Sequence, residues 1–132
     1  MLYLLDSCLC IDLLRNEPAV IRRASGVPPD ECVVSAVTVF ELLSGVRLCR
    51  NPEREEKKVA ALLAMVHQAP FDVAAAGKAA LVRGQLERTG TPLGPFDTLL
   101  AGHALALGAT LVTANVTEFQ RVTGLRWENW RG

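Results

Sequence analysis

Two short runs decide most of what this chain can become. Leu2-Tyr3-Leu4-Leu5 and Cys32-Val33-Val34 are apolar at every position, and each ends at a polar residue, Asp6 and Ser35. A strand with one wet face alternates apolar and polar side chains, so an unbroken apolar run of this length describes a strand covered on both faces. Between the runs, residues 9–15 and 19–24 have helical character, Pro18 stands at a first-turn position, and Pro28-Pro29-Asp30 reads as loop. The opening unit is therefore β-α-α-β.

The same reading continues along the chain. Residues 38–50 place Val39, Leu42, Leu43, Val46 and Leu48 on a helix that Asn51-Pro52 ends. Residues 53–66 follow with a charged block ahead of Ala- and Leu-rich turns, giving a second amphipathic helix and a helical hairpin. A short strand is expected at 69–71, an Ala-rich helix at 73–89 closed by Gly90, and a loop at 91–94. Pro95 opens a helix with an apolar face at Leu99, Leu100, Ala104 and Leu107 that ends at Gly108. A strand at 110–113, a short helix at 116–122 and a last strand at 125–127 complete an α/β order. With 132 residues, half of them hydrophobic, the expectation is one domain: a parallel sheet with helices on either side.

Fourteen basic and fourteen acidic residues cancel, so the broad positive footprint of a nucleic-acid binder is missing, and any phosphate ligand must be held locally by a metal or a few arginines. Eleven of the cations are Arg and three are Lys, which suits phosphate pairing but equally reflects GC-rich coding. Cys8, Cys10, Cys32 and Cys49 form no CxxC pair and read as small buried residues in a reducing cytosol. The apolar start holds Asp6 and Asp12 and lacks a basic leader, and the run 99–112 is shorter than the roughly 20 residues of a membrane span. A soluble, cytoplasmic protein is expected.

Four polar positions, Asp6, Glu41, Asp97 and Asn115, share one kind of place, just beyond a strand or in the first turn of a helix. Each has a structural reading: Asp6 as a cap, Thr38-x-x-Glu41 and Asn115-x-x-Glu118 as capping boxes, Asp97 as a first-turn acid complementing the helix dipole. Caps need not converge, however, whereas the strand ends that feed helices in a parallel sheet lie along one edge, where open α/β folds bind ligands. Three carboxylates gathered there repel and raise one another's pKa unless a cation shares them. A pocket lined by oxygen suits Mg²⁺ or Mn²⁺, and such an ion with phosphate oxygens points to phosphodiester hydrolysis.

The segments Leu2-Tyr3-Leu4-Leu5-Asp6-Ser7, Phe40-Glu41-Leu42-Leu43-Ser44-Gly45, Gly94-Pro95-Phe96-Asp97-Thr98-Leu99-Leu100-Ala101, and Leu111 to Phe119 with Glu128-Asn129-Trp130 closely resemble the PIN-domain toxins of VapBC toxin-antitoxin modules. The resemblance covers essentially the whole chain. It implies a three-layer α/β/α fold with strand order 3-2-1-4-5 and a Mg²⁺- or Mn²⁺-dependent endoribonuclease that leaves 5′-phosphate and 3′-hydroxyl ends. It also implies neutralisation by a cognate antitoxin, and a homodimer. By position, Asp6, Glu41 and Asp97 match the acidic metal site, Ser7 its hydroxyl neighbour and Thr113 the hydroxyl before the fourth position. Cys8 stands where the family often has Asn, and Asn115 where many members have a fourth Asp.

Other residues carry less. His67 and His103 are expected on helices as packed or surface residues rather than catalytic ones, Trp127 and Trp130 as fillers of a core or interface gap rather than stacking surfaces for RNA bases, and Arg15 and Arg47 as solvated cations rather than phosphate contacts. Glu118 is read either as a cap or as assisting the metal through water. A phospho-receiver domain needs a lysine at the end of a late strand, and Lys57, Lys58 and Lys78 all lie earlier. The remaining alternative is a PIN scaffold of weak or no activity that binds RNA or a protein partner.

Overall fold

The computed structural model describes residues 1–132. Strand β1 (Tyr3–Leu5) leads into helices α1 (Ser7–Leu14) and α2 (Pro18–Ser25), then a 3-10 turn (Pro29–Glu31) and strand β2 (Cys32–Ser35). Helices α3 (Ala36–Leu48) and α4 (Pro52–Met65) precede β3 (His67–Ala69), and α5 (Val73–Arg88) and α6 (Pro95–Leu107) precede β4 (Thr110–Val112). A short α7 (Val116–Phe119) and β5 (Trp127–Glu128) end the order. All five strands are parallel, in the order β3-β2-β1-β4-β5.

The two-faced apolar runs explain the three layers. In register, Leu4 pairs with Val33 and Leu111, and this row packs with Val82, Leu86, Leu100, Ala104 and Phe119 of α5, α6 and α7. One residue along, Leu5, Val34 and Val112 point the other way, as strand alternation requires, onto Leu9, Val20, Leu42, Val46 and Val59 of α1 to α4. Trp130 is buried in this second core and tilts against Tyr3 at 5.7 Å between ring centroids. On the first side, α5 and α6 meet closely at Gly102, where a Cβ would overlap the backbone of Ala79.

Several expectations need correction. Helix α3 begins two residues before the expected 38, because Ser35 ends β2 and also caps α3, its Oγ accepting the Val37 N–H at 3.1 Å. Thr38-x-x-Glu41 is therefore no capping box: Thr38 is inside the helix and buried, and Glu41 is in its second turn. The third strand is 67–69 rather than 69–71, since Pro70 has no N–H to donate to the ladder, and His67 is accordingly an exposed strand residue. Helix α7 stops at 119, short of the expected 122, and β5 starts at 127. Cys8 is exposed rather than buried, Cys49 is half-buried, and Trp127 is partly exposed.

Candidate active site

Because β2, β1 and β4 are adjacent and parallel, the residues that leave them emerge at one edge of the sheet. Asp6 is the first residue beyond β1. Its N–H donates to the Val112 carbonyl at 3.1 Å, and its Oδ1 accepts the Leu9 N–H at 2.8 Å, so it does cap α1. Only 6% of its surface is exposed. Burial pushes its carboxyl above the ordinary range and the Asp97 carboxylate pushes further, while the Thr113 hydroxyl, the Leu9 N–H and the Arg131 guanidinium pull back.

Glu41 and Asp97 arrive from α3 and α6. Both are half-buried. Desolvation raises the Glu41 carboxyl, with Asp97 and Asp6 adding repulsion and the Ser7 hydroxyl offsetting part of it. Asp97, in the first turn of α6, is raised by burial and then by Glu118. Glu118 on α7 is therefore a fourth acid of the group. Asn115 supplies no side-chain cap to α7; its Nδ2 donates to Glu118 Oε2 at 2.9 Å and its N–H to Thr113 Oγ1 at 2.9 Å. The amide holds Glu118 in place, and the fully buried Thr113 links it to Asp6.

The acids singled out from the sequence are thus electrostatic neighbours: Asp6 and Glu41 feel the charge of Asp97, Glu41 feels that of Asp6 as well, the Ser7 and Thr113 hydroxyls favour the charged forms of Glu41 and Asp6, and Asn115 bonds Glu118, whose charge Asp97 feels. The acids are neighbours rather than a closed shell, since no three His, Cys, Asp or Glu side chains stand close enough to ligate one ion as placed. A hard cation that keeps much of its water needs one or two direct carboxylates, and this donor set of oxygens without nitrogen or thiolate suits such an ion.

Two partnerships are not specified by the sequence. Arg131 grips Asp12 side-on, Nε to Oδ2 at 2.6 Å and Nη2 to Oδ1 at 3.0 Å, and the same guanidinium lowers the Asp6 carboxyl. A charge inside the apolar face of α1 hints at a partner for Asp12 but does not say which. His103 lies apart from the acids: buried on α6, it places Nδ1 2.8 Å from Ser35 Oγ and meets Phe71 edge-on at 5.3 Å.

Comparison with known proteins gives one consistent picture. Residues 3–125 match the PIN domain family. The chain is 37% identical over 128 residues to the tRNA(fMet)-specific endonuclease VapC of Shigella flexneri, covering 97% of each. Among solved structures it is similar to VapBC2 of Rickettsia felis bound to a DNA fragment from its promoter, with TM-score 0.93, 28% identity and 98% and 99% of the two chains covered. It is also similar to VapBC-1 from nontypeable Haemophilus influenzae, with TM-score 0.91, 34% identity and full coverage of both chains.

Proposed function

This chain belongs to the PIN domain family, and from that premise we propose that its 132 residues act as one unit, the ribonuclease toxin of a toxin-antitoxin pair. The observation that carries the reading is the convergence of Asp6, Glu41 and Asp97, from three separate elements, on the sheet edge where their charges oppose one another. Carboxylates held in mutual repulsion are a cost to the fold that a bound cation removes. Glu118 adds a fourth negative charge beside Asp97.

A divalent ion bound here, Mg²⁺ or Mn²⁺, supplies neutralising charge for the scissile phosphate and acidifies a water. Asp6 is the fixed member: its backbone is tied to β4 and its Oδ1 to the α1 N-terminus, so its carboxylate would hold the ion from a set position. Asp97, in the first turn of α6, would share the ion with Asp6, and Glu41, whose charge the Ser7 hydroxyl favours, would take the proton of an attacking water. Hydrolysis forms a bond from water oxygen to phosphorus and breaks the bond to O3′, which takes up a proton, giving a 5′-phosphate and a 3′-hydroxyl. The acidic cluster would also seat the forked guanidinium of an antitoxin arginine, and the chain works as a cytoplasmic homodimer that the antitoxin neutralises.

The test is incubation of the purified chain with total RNA in Mg²⁺ or Mn²⁺. Cleavage that EDTA stops, with product ends labelled by kinase only after phosphatase treatment, is the expected result. RNA left intact in millimolar Mn²⁺ overturns it.

A further inference from the structure

Beside the acids, α1, α3 and α4 enclose an open groove of about 690 Å³ that begins at Ser7 and Glu41 and runs to Arg15, Cys49 and Lys58. From Ser7 to Arg15 along α1, and from Glu41 to Cys49 along α3, is eight residues, or about 12 Å at helical rise. That length holds about three nucleotides at the roughly 3.4 Å spacing of a stacked strand. The floor is apolar, with Leu14, Leu42 and Val46. Four cations, Arg15, Arg50, Arg54 and Lys58, line it against two acids, Glu41 and Glu55; Glu55 pairs with Lys58, while none of the three arginines is in an ion pair. Arg54 and Lys58 are one turn apart on α4. In a chain of zero net charge, free arginines beside a strongly acidic crevice are the exception that a polyanion would use.

Gly45 supplies an independent sign of an occupant. It sits in the interior of α3, where glycine is less favourable than alanine. It also lines the groove, and a Cβ there would meet nothing within 4 Å. By contrast, Gly102 in α6 is fully explained by its close approach to Ala79. No packing inside this chain requires Gly45, and although Gly77 in α5 is equally unencumbered, Gly45 alone of the two lines the groove, where its missing side chain leaves the helix backbone open to a ligand.

We propose that this groove is the track for the RNA strand flanking the scissile phosphate, with Arg15, Arg50 and Arg54 as phosphate contacts and Gly45 as the point of closest approach. The inference rests on the ribonuclease reading and adds where the strand runs. An apolar floor with an excess of cations matches single-stranded nucleic acid, whose bases lie on apolar surface while its phosphates meet cations.

The experiment measures binding of a short fluorescein-labelled oligoribonucleotide of mixed sequence by anisotropy across a KCl series, in an Asp97→Asn background that does not cut. Against that parent, Gly45→Leu and the triple change Arg15→Ala, Arg50→Ala, Arg54→Ala are each expected to weaken binding about tenfold or more. The triple change also flattens the salt slope by about two, at roughly 0.7 for each phosphate no longer neutralised. Arg83→Ala, on α5 away from the groove, should bind like the parent. Mn²⁺ affinity and melting temperature of the groove variants made in the wild-type background should be unchanged or, for Gly45→Leu, the melting temperature raised. Parent-like RNA binding by both groove variants overturns the inference, as does the case where they keep RNA and release only the antitoxin, which would make the groove a protein seat. Failure of the wild type to cut RNA is read separately and strikes the ribonuclease reading, not the binding track.

Discussion

Asp6 shows how one side chain serves fold and chemistry together. Its Oδ1 is committed to the Leu9 N–H, so Asp6→Asn keeps an acceptor for the cap and removes only charge, whereas Asp6→Ala would also forfeit about 1 kcal/mol of helix capping. Its raised carboxyl, with those of Glu41 and Asp97, fixes the sign of a pH effect. A group whose folded pKa exceeds its unfolded value binds protons more tightly in the folded state, so stability rises as pH falls through the raised values and levels off below the ordinary values of 3.8 and 4.5. Urea midpoints in EDTA should therefore show the wild type gaining on the Asp6→Asn, Glu41→Gln, Asp97→Asn triple variant as pH drops from neutral; a constant difference would deny the mutual strain. Asn115 makes a second prediction. Asn115→Asp places a new carboxylate against Glu118, where the amide now donates at 2.9 Å, so the metal-free protein should melt lower while calorimetry shows tighter Mn²⁺ binding. Unchanged Mn²⁺ affinity would place Asn115 outside the metal's reach.

At the scale of elements, the crevice is only as exact as the helices that carry it. Helix α6, bearing Asp97, is seated on α5 through Gly102 and Ala79, so Gly102→Ala forces the two helices apart and should destabilise by about 1–3 kcal/mol, read as a lower urea midpoint; a neutral effect would mean that α6 moves freely on α5. The elements also show what a sequence can and cannot disclose. Strands β1 and β2 are legible because both their faces are buried, and α6 because Pro95 and Gly108, the latter left-handed at φ 64°, mark both its ends. Strand β3 escapes the apolar pattern because His67-Gln68-Ala69 is a polar edge strand, defined by its ladder to β2. The start of α3 is hidden because Ser35 belongs to strand and cap at once, while Thr38 and Glu41 imitate a box that the helix does not use. The acids are legible because the sheet edge converts strand-end positions into neighbours. Arg131 is not, since its bond to Asp12 spans 119 residues and no local spacing encodes it.

For the molecule as a whole, the raised carboxyls make one edge of the sheet costly to stability, a cost that the proposed cation would offset. Mn²⁺, binding the folded state alone, should raise the melting temperature in a concentration-dependent way that EDTA reverses; no shift across millimolar Mn²⁺ would contradict a metal site. No helix is long and apolar enough to cross a membrane, and Phe40 and Phe96, next in sequence to Glu41 and Asp97, form an exposed aromatic pair with ring centroids 5.6 Å apart. On the proposed reading the converging carboxylates serve hydrolysis, and of the three Asp6 also serves the fold through its cap on α1. That reading is tested most directly by assaying RNA cleavage in Mn²⁺ and metal-free melting on the same preparation of Asp97→Asn beside wild type. The account predicts a variant that cuts nothing and melts at or above the wild-type temperature; cleavage at the wild-type rate, or a variant that is inactive only because it has unfolded, would contradict it.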